Sequence, residues 1–123
     1  MNSQIDLAGA SGEVYRYRLA EDGGPSTRAG GNFVYVKGGE GNPEVVFAGQ
    51  TDNLMSGAMA RWSEAVAMHG ATHMFTRLKV SGAARDEELR DIVAGVRPVM
   101  NGPFEPDAWE AKDSEAEGSH PTA

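Results

Sequence analysis

The chain has 123 residues, of which 40% are hydrophobic; it has no cysteine and a formal charge of −7. That length fits one domain whose core buries about two thirds of the surface its unfolded chain exposes. The missing cysteines exclude disulfides, iron–sulfur clusters and thiolate zinc sites and agree with a reducing compartment. Asn2-Ser3-Gln4-Ile5-Asp6 has neither the basic start nor the apolar run of a signal peptide, and no stretch approaches the ~18 apolar residues of a membrane span. The expectation is a soluble, cytoplasmic protein with no membrane partner.

In chain order, Glu13–Leu19 (EVYRYRL), Asn32–Lys37 (NFVYVK) and Glu44–Ala48 (EVVFA) are rich in aromatic and β-branched residues and are predicted as strands. The Gly-rich stretch from Glu21 to Gly31 is expected as a loop, and Gly38–Pro43 as a hairpin connection. A helix is predicted over about Asp52–Met68, with Leu54, Ala58, Trp62 and Ala65 at spacings of three and four and Gly70 marking its end. A fourth strand is expected at His73–Val80. A second helix follows over about Ala83–Val96, with Leu89, Ile92, Val93 and Val96 facing the core, acids in its first turn and Pro98 stopping it. The order β, β, β, α, β, α with short hairpin links predicts an α/β chain of the α+β type, a small, mainly antiparallel sheet of three to four strands flanked by helices. Residues 1–103 form the domain. Residues 104–123 carry six acids and one lysine, so −5 of the charge lies there and −2 on the domain. That tail is too poor in apolar residues to offset the entropy of ordering, Trp109 excepted, and is expected to stay disordered.

Arg16 and Arg18 fall on one face of the first strand, and Arg77 and Lys79 on one face of the last. They form either a small basic surface or the ordinary solvent faces of half-buried strands. His69 and His73 have a metal-ligand spacing, but Gly70 interrupts the helix between them. Glu87 and Glu88 read as a general acid or a magnesium ligand, or as acids placed for the helix dipole. Tyr15, Tyr17 and Tyr35 read as core aromatics with hydrogen-bonded hydroxyls.

Taken in order, Val14-Tyr15, then Val46-Phe47-Ala48-Gly49-Gln50-Thr51-Asp52-Asn53-Leu54, then Arg97-Pro98-Val99-Met100-Asn101 resemble the GIY-YIG nuclease superfamily over most of residues 12–101. The middle segment looks like that family's second strand, leading through a glycine turn into its first helix. The resemblance implies a small antiparallel sheet with helices. It also implies a tyrosine that helps deprotonate the attacking water, a helix arginine on the scissile phosphate, and a glutamate holding one divalent metal. Tyr15 matches the first tyrosine and Gly49 the turn glycine. Glu13 stands at the first glycine, Phe47 at the second tyrosine, Gly57 at the arginine and Leu89 at the glutamate.

Arg61, one helical turn beyond Gly57, and Glu88, beside Leu89, are the candidate replacements. The expectation is therefore a catalytically degenerate GIY-YIG-like domain kept for binding nucleic acid, a nucleotide-like ligand or a protein, with no cofactor. Its binding residues are Tyr15, Arg16, Arg18, Gly49, Gln50, Asn53, Arg61, Arg77 and Asn101. The first alternative is an active endonuclease cutting DNA with Tyr15, Arg61 and Glu88, the last holding magnesium. The second is a protein-interaction module acting through the acidic tail.

Overall fold

The computed structural model describes residues 3–20, 24–38 and 42–104. Five strands run β1 (Gln4–Ala8), β2 (Val14–Leu19), β3 (Gly31–Lys37), β4 (Glu44–Thr51) and β5 (His73–Leu78). They join into one sheet in the order β1-β2-β5-β3-β4, with every neighbouring pair antiparallel. Two short helices, α1 (Leu54–Gly57) and α2 (Trp62–His69), link β4 to β5, and α3 (Gly82–Val96) leads to a 3-10 turn at Val99–Asn101. The α+β, antiparallel class expected from the sequence is observed.

The sheet has five strands, not three to four. The addition is β1, whose residues Ile5 and Leu7 are only half-buried while Gln4, Asp6 and Ala8 are exposed. An edge strand of five residues with two apolar side chains is a short signal by itself; β1 pairs with β2 in the register Gln4↔Arg18 to Ala8↔Val14.

The predicted helix over 52–68 is two helices. The break falls where the Tyr35 hydroxyl enters the backbone, donating to the Ala58 carbonyl at 2.7 Å and accepting from the Arg61 amide at 3.1 Å. Those groups bond to Tyr35 and leave the chain free to turn between α1 and α2. Strand β4 also runs three residues past Ala48, so Gly49 is a strand residue opposite Phe33 and not a turn.

Two apolar layers sandwich the sheet. On one face Phe33, Tyr35, Val46, Met74 and Met100 pack with Leu54, Ala58 and Ala65 of α1 and α2. On the other, Tyr15, Tyr17, Val34, Val36, Ala48 and Phe75 pack against Ile92, with Leu89, Val93 and Val96 of α3 around them. An irregularity after Tyr35, where Val36 pairs with Val45 and Tyr35 with Phe47, leaves Val46 unopposed and lets it join Phe47 in the α1/α2 layer. Among the described residues no helix is long and apolar enough to cross a membrane. The expectation for the acidic tail, Trp109 included, concerns residues 105–123, outside those described.

Candidate functional site

Strand pairing decides which tyrosine stands beside the Phe47-Ala48-Gly49 segment. The partner of β4 is β3, with Tyr35 directly across from Phe47 and Phe33 across from Gly49. Strand β2, which carries Tyr15, is separated from β4 by β5 and β3. The aromatic group at the β3/β4 pair is close-set: ring centroids lie 5.3 Å apart for Tyr35 and Phe47, 5.6 Å for Phe33 and Tyr35, and 5.2 Å for Tyr35 and the edge-on Trp62. Gly49 is required here, because a Cβ would stand 2.6 Å from Phe33 Cζ and 3.0 Å from Phe47 Cε2.

Arg61 lies on this α1/α2 face. Its guanidinium sits 5.1 Å from the centre of the Phe47 ring, donates to both Glu64 carboxylate oxygens (3.0 and 2.8 Å) and reaches the Met100 carbonyl at 3.4 Å. The Tyr35 hydroxyl beneath it is buried and engaged in both directions. Burial pushes its pKa up, so the phenol stays protonated. At Gly57, the place where the resemblance puts an arginine, a Cβ would collide with Thr51 Oγ1.

Tyr15 lies on the opposite face, under α3, and Glu88 belongs to α3 itself and reaches Arg77 on that side. The Tyr15 hydroxyl donates to Asp91 at 2.7 Å, and that bond to an ionised carboxylate pushes the phenol up to about 12. Asp91 also accepts from the Ser11 amide (2.8 Å) and hydroxyl (2.6 Å), which ties the β1–β2 hairpin to α3. Glu88 is clamped by Arg77 at 2.8 Å and Lys79 at 3.3 Å, and the Arg77 guanidinium covers the Tyr15 ring at 5.4 Å. Burial acts to raise the Glu88 pKa, but the two cations outweigh it and hold the carboxyl below its ordinary value. The structure therefore brings Tyr15, Arg77 and Glu88 together and places Arg61 on the other side of the sheet.

The remaining candidates have structural partners. The Asn101 amide accepts from the Ala48 N–H and donates to the Ala48 carbonyl, both at 2.8 Å, and so pairs the outer edge of β4 as a strand would. Asn53 caps α1, accepting from the Ser56 amide at 3.3 Å. Gln50 donates to Asp86 at 3.2 Å and accepts from Arg85 at 3.3 Å. Arg16 is bidentate to Asp6 across the β1/β2 pair. The four bases expected on one surface are divided: Arg16 and Arg18 point away from α3, whereas Arg77 and Lys79 point toward it and share Glu88. His73 Nδ1 lies 2.9 Å from Thr72 Oγ1, and among the described residues no group of three or more His, Asp or Glu is gathered to hold a metal ion.

Tyr35 and Arg85 are the side chains whose positions the sequence concealed. Tyr35 was not legible by register counting, which from Lys37↔Glu44 and Val36↔Val45 sets Val46 opposite it; the irregularity after Tyr35 brings Phe47 there instead. Arg85 carries no signal either. It is buried at the start of α3 and donates to the carbonyls of Lys79 and Val80, fastening the β5–α3 connection. Comparison with protein-family models, with curated proteins and with solved structures finds no match for this chain.

Proposed function

We propose that this chain is a catalytically degenerate GIY-YIG-like domain retained for binding. The resemblance is carried better by Phe33-Val34-Tyr35 than by Val14-Tyr15, since the two motifs then fall on consecutive, paired strands, with Tyr35 facing Phe47. The observation that carries the reading is the state of that pair. One ring has no hydroxyl, and the other's is spent on Ala58 and Arg61 backbone groups in the interior. General-base work on an attacking water needs a group within hydrogen-bond reach of it, and neither ring offers one.

Charge supports the same reading. Phosphodiester cleavage draws on a guanidinium and a metal-bound carboxylate acting at one place. Here Arg61 is neutralised by Glu64, Glu88 by Arg77 and Lys79, and the sheet separates the two groups. A nuclease built from Tyr15, Arg61 and Glu88 would need one substrate phosphate on both faces of the sheet.

The test is incubation of the purified protein with single-stranded, duplex and branched DNA, with and without magnesium. No magnesium-dependent cutting is expected, and magnesium should leave the amide resonances of Tyr35, Arg61 and Glu88 in place. Cutting that requires magnesium and disappears in both Arg61→Ala and Glu88→Ala would overturn the reading. For the binding function, native purification followed by mass analysis of bound nucleotides and nucleic acids identifies the ligand class.

A further inference from the structure

Helix α3 covers one side of the sheet, whereas α1 and α2 pack mainly on β3 and β4 and meet β5 at Met74, so among the described residues their side of β2 and of the later part of β5 is left open. Val14, Arg16 and Arg18 project there from β2, and Thr76 and Leu78 from β5, with Arg18 directly across from Thr76. Arg16, Arg18, Thr76, Arg77 and Leu78 line a shallow groove of about 290 Å³ on it. Its character is cationic and apolar together. Leu78 and Val14 are 62% and 60% exposed, Arg16 shares its charge with Asp6, and Arg18 has no hydrogen bond or ion pair among the described residues.

The geometry points to residues 105–123 of this same chain as the occupant of that groove, their carboxylates meeting Arg16 and Arg18 and the Trp109 ring covering Leu78 and Val14. The segment carries Glu105, Asp107, Glu110, Asp113, Glu115 and Glu117 against one Lys112, and Trp109 is its one large apolar side chain. Both properties complement the groove.

Reach is sufficient. The described chain ends at Phe104, which is held under the Arg97 guanidinium at 5.0 Å just after the turn that packs on β4. From β4 to β2 is three strand spacings, about 15 Å. Nineteen residues extend to about 60 Å, which allows a path around α2.

Affinity comes from tethering. One exposed arginine–carboxylate pair contributes little in water. A segment attached to its own site is present at roughly millimolar effective concentration, and six acids exchange over two arginines without loss of contact. The docked population is consequently salt-sensitive, because exposed pairs are screened once the Debye length falls to about 3–4 Å.

The test exploits the absence of native cysteine, which makes Ser114→Cys a unique attachment point for a nitroxide on the full chain. At low salt, the amide resonances of Arg16, Arg18, Thr76 and Leu78 should lose most of their intensity, and about 0.5 M salt should restore it. Arg18→Glu should abolish the broadening with the rest of the spectrum unchanged, and Arg18→Lys should retain it. Broadening that is absent at low salt, survives Arg18→Glu, or centres on another surface overturns the proposal. So does broadening that appears in a mixture of spin-labelled and isotope-labelled molecules, since the occupant is then a second copy.

Discussion

Replacing Asn101 by alanine tests whether the Pro-x-x-Asn segment serves the fold or a ligand. The side chain makes two hydrogen bonds of 2.8 Å to Ala48, one in each direction, on the outer edge of strand β4. Each contributes about 1 kcal/mol net, and leaving the part-buried Ala48 N–H and carbonyl without partners adds to the loss, for a total of about 2–3 kcal/mol. For a domain of about 100 residues this lowers Tm by roughly 10–20 °C. Urea unfolding followed by far-UV circular dichroism measures it, with an unchanged m-value showing that the native state keeps its extent. Hydrogen exchange supplies the local readout: the Ala48 amide should lose protection in Asn101→Ala, and Asn101→Asp, which retains the accepting oxygen, should keep more of it. A loss below about 0.5 kcal/mol with unchanged Ala48 exchange would refute the argument and return Asn101 to the set of ligand-facing residues.

Gly49→Ala should destabilise by about 1–3 kcal/mol, because the new methyl group forces the Phe33 and Phe47 rings out of place; denaturant unfolding checks it. Alkaline titration read at the tyrosinate absorbance should show little ionisation in the folded protein around pH 10. All three tyrosines are held above their ordinary value, Tyr15 at about 12 by its bond to Asp91 and Tyr17 and Tyr35 by burial. The native state favours the neutral phenols, so their stabilisation is complete below the unfolded pKa near 10 and is lost as pH rises through the folded values. In acid the sign reverses. Asp6, bonded to Arg16, Asp91, bonded to Ser11 and Tyr15, and Glu88, where two cations outweigh burial, all sit below the ordinary carboxylate range. Their contribution is present above the unfolded pKa near 4 and is lost as pH falls through the lowered values, so urea midpoints should be lower at pH 3 than at pH 7. Glu88→Gln should narrow that difference.

Strands β2 to β5 and helix α3 were legible because each carries its own pattern: alternation in Val14–Leu19, a β-branched and aromatic run in Asn32–Val36, and spacings of three and four in Leu89–Val96. Edge strand β1 was not, since the alternation in Gln4–Ala8 spans only five residues with two half-buried apolar side chains, and its partner lies across a turn. The helix break between Gly57 and Trp62 was hidden for a related reason. Its cause is the hydroxyl of Tyr35, more than twenty residues away in sequence. Among the candidate site residues, Gly49, Asn53 and Asn101 have structural partners: Gly49 packs against Phe33 and Phe47, Asn53 caps α1, and Asn101 pairs with Ala48. Sequence adjacency does not reveal that β4 pairs with β3, which sets Tyr35 and not Tyr15 opposite Phe47.

Chain order and side-chain periodicity alone determined an antiparallel α+β sheet with helices, the apolar faces of its principal elements, and the concentration of acid beyond residue 104. Those properties are local, and a pattern of period two or near four suffices to express them. Only the tertiary structure decided which side of the sheet each charge occupies. A strand's two faces are equivalent until helices pack on them, and that packing put Arg61 over Phe47 on one side and Tyr15 close to Glu88 of α3 on the other, some seventy residues apart in the chain.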